Sequence, residues 1–227
     1  GTPGTDTVAN WSLRVHGEVE RPVVLSYQEL LNLHQVHITC DVHCVTGWTL
    51  LDSSWSGVRL ATIIDRVRPR KSAGFIIFED AGGYTSNVPI SEIRKENVIL
   101  AHSFFGEKLP KAHGAPVRAV IPDRYFYKSA KWIEAVKVTV HDEPGFWESR
   151  GYSNSADPPI HGRKNATSRN SEVWNNWHSL ELTLSQNCKK VTDNCPSKQY
   201  VLPLYLEKEK FVRPFCCYGN DVDCDMC

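Results

Sequence analysis

Short alternating apolar runs interleave with short helical stretches from Trp11 to about Glu143, without the long, regular βαβ period of a doubly wound sheet. That texture restricts the stretch to a mixed α+β fold. Trp11, Leu13, Val15 and Gly17 alternate with polar residues as a half-buried strand does. Ser26, followed by Glu29, has the form of a capping box and opens a predicted helix over Tyr27 to Asn32. Alternation returns from His37 to Cys44, with Ile38, Cys40, Val42 and Cys44 on one face and His37, Thr39, Asp41 and His43 on the other. Val58 to Val67 reads as a short helix. Gly74 to Glu79, Val117 to Ile121 and Ile133 to Val140 read as strands, and Gly82-Gly83 as a turn. That glycine pair is too weak a signal for a phosphate loop, and the chain has no internal repeat.

Beyond Trp147 the composition shifts. Gly151 to Asn170 is rich in Ser, Asn, Pro and Gly, as a linker is, and the end carries Trp174, Trp177 and a short alternating run from Leu180 to Leu184. The division is therefore a core domain over 1–160 and a cysteine-rich extension over 161–227. The 26 basic residues equal the 26 acidic ones, so net charge gives no argument for nucleic acid or membrane partners. No apolar run approaches the roughly 20 residues of a transmembrane helix. Gly1 to Asn10 is small and polar, unlike a signal or transit peptide, but a processed N-terminus would look the same.

Chemistry concentrates in two places. His43-Cys44-Val45-Thr46-Gly47-Trp48 ends a strand and enters a loop, where a thiolate can face a cleft and serve as a soft ligand to a redox metal. The alternative is a buried structural cysteine, the reading that suits Cys40 on the same strand face. No second Cys or His pair follows at zinc spacing within the core. The other concentration is His113 with Arg118, Arg124, Lys128, Ser129 and Lys131, interleaved with Tyr125, Phe126, Tyr127 and Trp132. Arginine forks, lysine point charges and a hydroxyl suit a phosphate in a half-buried pocket; the alternative is a solvated basic face.

Five phrases in order carry a family resemblance: His43 to Trp48, Trp55-Ser56-Gly57-Val58, Gly83-Tyr84-Thr85-Ser86-Asn87, His113-Gly114-Ala115-Pro116-Val117-Arg118 and Lys128-Ser129-Ala130-Lys131-Trp132. Together, from about Trp11 to Pro159, they resemble the sulfite oxidase-type molybdopterin-binding oxidoreductases, in particular the short, haem-free branch. The resemblance implies an α+β fold around a twisted sheet and a molybdenum-molybdopterin cofactor whose dithiolene supplies two sulfurs to the metal. Cys44 would supply a third, with His43 beside it. His113, Arg118, Ser129 and Lys131 would hold the pterin phosphate, with Lys128 as a neighbour. Asp80 falls where the family has an acidic pterin contact, or is an ordinary turn residue. Tyr152 matches an active-site tyrosine, or packs a loop on the core. Arg150 is a candidate for drawing in an anion, or faces solvent. An arginine-bearing segment that sulfite oxidases carry ahead of the first strand is not present in this sequence, which places sulfite itself in doubt, and no haem-binding or dimerisation domain is visible.

The activity so implied is two-electron oxygen-atom transfer on a small substrate, a sulfite-like anion, sulfoxide or N-oxide. Electrons would be exchanged with an external carrier such as a c-type cytochrome. The competing reading is a catalytically silent structural subunit that retains the fold and meets a protein partner through the extension. Cysteine-histidine hydrolysis by Cys44 and His43 is disfavoured, because adjacent strand residues point to opposite faces. Cys188, Cys195, Cys216, Cys217, Cys224 and Cys227 suit three disulfides, with fifteen possible pairings, better than a zinc site. Disulfides favour an oxidising compartment, the periplasm or the mitochondrial intermembrane space.

Overall fold

A computed structural model describes residues 8–158 of the 227; the extension, its six cysteines, Trp174 and Trp177 lie outside the described residues. Within 8–158 the chain builds two five-stranded sheets and two short α-helices.

The first sheet contains β1 (Ser12–Gly17), β2 (Val23–Ser26), β5 (Phe75–Asp80), β6 (Thr85–Pro89) and β10 (Ile133–Thr139), in the order β2-β1-β10-β5-β6. Its centre is the parallel pairing of β1 with β10, Arg14 opposite Ala135 and Gly17 opposite Val138. Leu13 and Val15 are buried, Ser12 and Arg14 exposed and His16 half-buried, as the alternation requires. The helix α1 (Tyr27–Leu31) opens with the full capping box: Ser26 Oγ accepts from Glu29 N, and the Glu29 carboxylate accepts from Ser26 N at 2.8 Å.

The second sheet is antiparallel and contains β3 (Gln35–His43), β4 (Thr49–Arg59), β7 (Ile99–Phe104), β8 (Glu107–Lys108) and β9 (Arg118–Val120), with β9 paired to β7. The expected helix from Val58 begins later. Val58 and Arg59 end β4 and pair with Leu100 and Ile99, and α2 spans Leu60–Val67. Its buried Leu60, Ile63, Ile64 and Val67 make one apolar stripe.

Two apolar clusters lie on opposite faces of this second sheet. Val58, Leu100 and Ala119 join α2 and the first sheet in the main core, whereas Val42, Trp55, Ile99, Ala101, Val120 and Phe126 form a second cluster. The period of two along a strand explains the split: Ile99 and Ala101 face one way and Leu100 the other. Arg118, two residues before Val120, faces the second cluster by the same rule, its guanidinium lying against Trp55 and Phe126. Among the described residues, no helix is long and apolar enough to cross a membrane.

Candidate cofactor and active site

Arg118 is the centre of the basic segment. Its side chain is buried at 1% exposure. The guanidinium donates to the carbonyls of His113 (3.0 Å), Ser129 (3.0 Å) and Ala119 (3.3 Å). It lies 4.3 Å from the ring centroid of Phe126 and 5.3 Å from that of Trp55. Burial presses its pKa down to about 9, so it remains a cation at neutral pH. Among the described residues it forms no ion pair with a carboxylate. Carbonyl dipoles and ring faces offset part of the several kcal/mol that burying a charge costs, and an anion would complete the compensation.

Neighbouring groups converge on the same place. Gly114, at φ +105°, packs so closely that a Cβ there would stand 3.0 Å from the Cβ of Arg118 and of Lys131. Lys131 is buried, with its Nζ 4.5 Å from the Trp132 ring centroid. Ser129 Oγ accepts from Ile121 N at 2.9 Å and keeps its own proton for another acceptor. His113 is exposed at the end of the turn Lys111–His113. Its pKa is lowered first by desolvation and then by the positive charges of Arg118 and Lys131. Gly114 lies against Arg118 and Lys131, and the Arg118 guanidinium bonds the His113 carbonyl, so the three residues share one corner.

Lys128 stands apart from this corner. It is buried, ion-paired to Glu148, and donates to Asn87 Oδ1 at 2.8 Å. Desolvation lowers its pKa, and Glu148 counters that. Its charge is answered from within, so of the expected phosphate group His113, Arg118, Ser129 and Lys131 are brought together and Lys128 is directed elsewhere. Asp80 serves the turn reading: Oδ1 accepts from Gly82 N and Tyr84 N, both at 2.7 Å, and fixes the β5–β6 connection.

Cys44 follows β3 in the hairpin to β4, where its N–H donates to Trp48 O at 2.9 Å and its carbonyl accepts from Gly47 N at 3.0 Å. The side chain is buried and Sγ lies 3.0 Å from Thr46 Oγ1. Cys44 is disulfide-bonded, while Cys40 is free and half-buried. His43, the last residue of β3, has its Nδ1 2.9 Å from Thr49 Oγ1 on β4.

Tyr152 lies in an aromatic group, its ring 5.0 Å from Trp147 and 5.7 Å from Tyr127. The indole N–H of Trp147 is buried without an acceptor among the described residues. Arg150 is exposed; it stacks on Phe146 at 3.5 Å and donates to the Phe146 carbonyl at 2.7 Å. The sequence assigned no role to Asn87, Glu148, Trp55 or Phe126, which hold Lys128 and Arg118. Two of them, Trp55 and Asn87, lie in the phrases that carried the resemblance.

Residues 1–147 match the family described as oxidoreductase molybdopterin binding domain. The chain belongs to that family. Its cofactor is a molybdopterin, and its fold is that of the sulfite oxidase-type members. A relative, the uncharacterized oxidoreductase YuiH of Bacillus subtilis (strain 168), is 38% identical over 156 residues, covering 69% of this chain and 79% of that protein. A nitrate reductase [NADPH] of Fusarium oxysporum is 26% identical over 208 residues, 80% of this chain but 23% of that much longer protein. The crystal structure of the sulfane dehydrogenase SoxCD from Paracoccus pantotrophus superposes with a TM-score of 0.56 at 21% identity, over 60% of this chain and 40% of that one. That likeness concerns the fold. As a member of the molybdopterin-binding oxidoreductases, the chain is an oxidoreductase.

Proposed function

We propose that this oxidoreductase moves an oxygen atom to or from a small substrate, a sulfite-like anion, a sulfoxide or an N-oxide, at a molybdenum held by molybdopterin. It would exchange the electrons with an external one-electron carrier such as a c-type cytochrome. The observation that carries the reading is Arg118, a buried guanidinium with carbonyl and aromatic partners and no carboxylate among the described residues. When bound, a terminal phosphate of the pterin would supply the missing negative charge at Arg118. His113, Lys131 and Ser129 Oγ surround the same position with further donors. The close fit of Gly114 between Arg118 and Lys131 leaves no Cβ to block the approach.

When bound, the cofactor supplies a metal that takes up or releases an electron pair as oxygen transfers. The chain does the rest. Cys44 offers one thiolate, a soft ligand that tunes the metal, and it reaches that state only when its disulfide is open. Tyr152 presents a hydroxyl proton to the substrate, and Arg150 adds positive charge at the rim. Edge-on contacts with Tyr127 and Trp147 hold the Tyr152 ring in place.

The test is elemental analysis of protein purified under reducing conditions, with sulfite oxidation by ferricyanide and dimethyl sulfoxide reduction by a reduced viologen dye as assays. Molybdenum close to one equivalent is expected. Cys44→Ser should keep the pterin and lose turnover. Protein without molybdenum, or full activity of Cys44→Ser, would overturn the reading. The disulfide at Cys44 favours a second reading, the catalytically silent subunit. That reading predicts no molybdenum even after reduction.

A further inference from the structure

The segment after β10, residues 141–157, carries Arg150 and Tyr152, and its attachment to the core converges on one buried side chain. Asn87, on β6, is 2% exposed and makes four hydrogen bonds. Its Nδ2 donates to Asp142 Oδ1 at 2.6 Å and to Asn154 Oδ1 at 2.8 Å. Its Oδ1 accepts from Lys128 Nζ at 2.8 Å and from Gly145 N at 3.4 Å. Asn154 Nδ2 in turn donates to Asp142 Oδ2 at 2.6 Å, so the two ends of the segment are tied to each other as well as to Asn87. The side-chain amide has used both donors and both acceptor sites.

The middle of the segment is held from the same strand. Phe146 N donates to Thr85 O at 2.9 Å, and a Cβ on Gly145 would stand 2.5 Å from that same carbonyl. Glu148 is ion-paired to Lys128, the residue that Asn87 also binds. Further on, Tyr127 Oη donates to Ser153 O at 2.6 Å and Tyr125 N to Ala156 O at 2.7 Å. The result is an arch with both feet, Asp142 and Asn154, on Asn87, and with Tyr152 two residues from the second foot.

We infer that Asn87 is a positioning residue that fixes the arch, and through it the hydroxyl of Tyr152, against the active site; this rests on the reading of Tyr152 as a substrate contact. A buried asparagine with four partners is suited to the task. Each bond lost leaves a buried polar group without a partner, so the arch opens cooperatively rather than bond by bond. Packing alone would tolerate small displacements of Tyr152, whereas an amide with four directional bonds does not.

The discriminating variant is Asn87→Asp in the full-length holoprotein. It keeps the acceptor for Lys128 and Gly145 but loses the bonds donated to Asp142 and Asn154, and sets a second carboxylate against that of Asp142. Hydrogen exchange at Arg150, Gly151 and Tyr152, whose N–H groups bond within the arch, should speed up about tenfold or more while β1 and β10 stay protected. Turnover of the sulfite or dimethyl sulfoxide probe should fall about tenfold, the effect of one buried hydrogen bond. Adding Asp142→Asn reverses the polarity of the lost bond and should restore both readouts. In a Tyr152→Phe background, Asn87→Asp should lower turnover no further. Unchanged exchange, or equal losses with and without the Tyr152 hydroxyl, would overturn the inference. Wild-type turnover in Tyr152→Phe alone would remove Tyr152 from the site and overturn the catalytic half, while the exchange result would still judge the latch. Should Asn87→Asp fail to fold, Asn154→Ala, at an exposed foot of the arch, reads the same two quantities.

Discussion

Lys128 and Glu148 form an ion pair inside the domain, their side chains 1% and 2% exposed. They lie twenty residues apart in sequence, one before β10 and one after it. Removing one partner strands the other charge in a low-dielectric setting, at a cost of about 3–5 kcal/mol. Glu148→Ala should therefore lower the unfolding free energy by that amount in urea titrations. Replacing both, as Lys128→Met with Glu148→Leu, should be less damaging than Glu148→Ala alone. A double variant no better than the single would show that the pair contributes mainly through its links to Asn87.

Arg118→Lys is not a conservative change. The guanidinium serves three backbone carbonyls, and an ammonium on a shorter reach cannot serve them all. Apoprotein stability should fall by about 2–4 kcal/mol, from carbonyls left unsatisfied. Pterin content after purification, read as fluorescence of the oxidised pterin, should fall further than stability alone predicts. Normal pterin content would remove Arg118 from the phosphate site.

Gly114→Ala tests the same corner through the backbone. At φ +105°, with the Cβ atoms of Arg118 and Lys131 at 3.0 Å, an added methyl group meets both strain and crowding. A loss of about 1–3 kcal/mol is expected, together with weaker retention of the cofactor. Thermal melts of apo and holo protein separate the two contributions, because only the holo form gains the ligand's stabilisation.

His113 gives a pH signature. Its pKa is depressed in the folded chain by desolvation, Arg118 and Lys131, so near and below the ordinary histidine value the unfolded chain binds more protons than the folded one. This contribution to stability is present above about pH 6.5, the unperturbed value, and is lost as the pH falls through it towards the folded value. An anion in the corner reverses the effect by favouring the imidazolium. Sulfate, which does not titrate in this range, should bind more tightly as the pH drops below about 6.5, and His113→Gln should flatten that dependence. Calorimetric titration at several pH values measures it.

The first half of the fold was legible where local pattern and burial agree. Leu13 and Val15 show their alternation plainly, and Ser26 with Glu29 announces α1. β4 was not legible, because Asp52, Ser53, Ser54 and Ser56 look like loop residues. Ser53 is nonetheless fully buried, donating to Cys40 O at 2.6 Å and accepting from Trp55 Nε1 at 2.8 Å. A polar residue satisfied by a carbonyl on the neighbouring strand and an indole two residues on leaves no trace in periodicity. The same reason separates Lys128 from its neighbours: composition could group it with Arg118 and Lys131, but only the fold shows that Glu148 reaches it. Cys44 and Arg118 stood out by residue type and by the phrases around them. The pairing of β9 with β7, which sets Arg118 opposite Ala101, is encoded by no local pattern.

The parallel union of β1 with β10 has a bearing on how the protein is made. Trp11, just ahead of β1, donates its indole N–H to the Ile133 carbonyl across 122 residues of sequence. A nascent chain emerging from the ribosome must therefore hold its opening strand without its principal neighbour until nearly the whole domain has been translated. Contacts of such long range form late. Until then β1 is paired with β2 alone, and its other edge is filled only when Ile133–Thr139 arrives to complete the centre of the sheet.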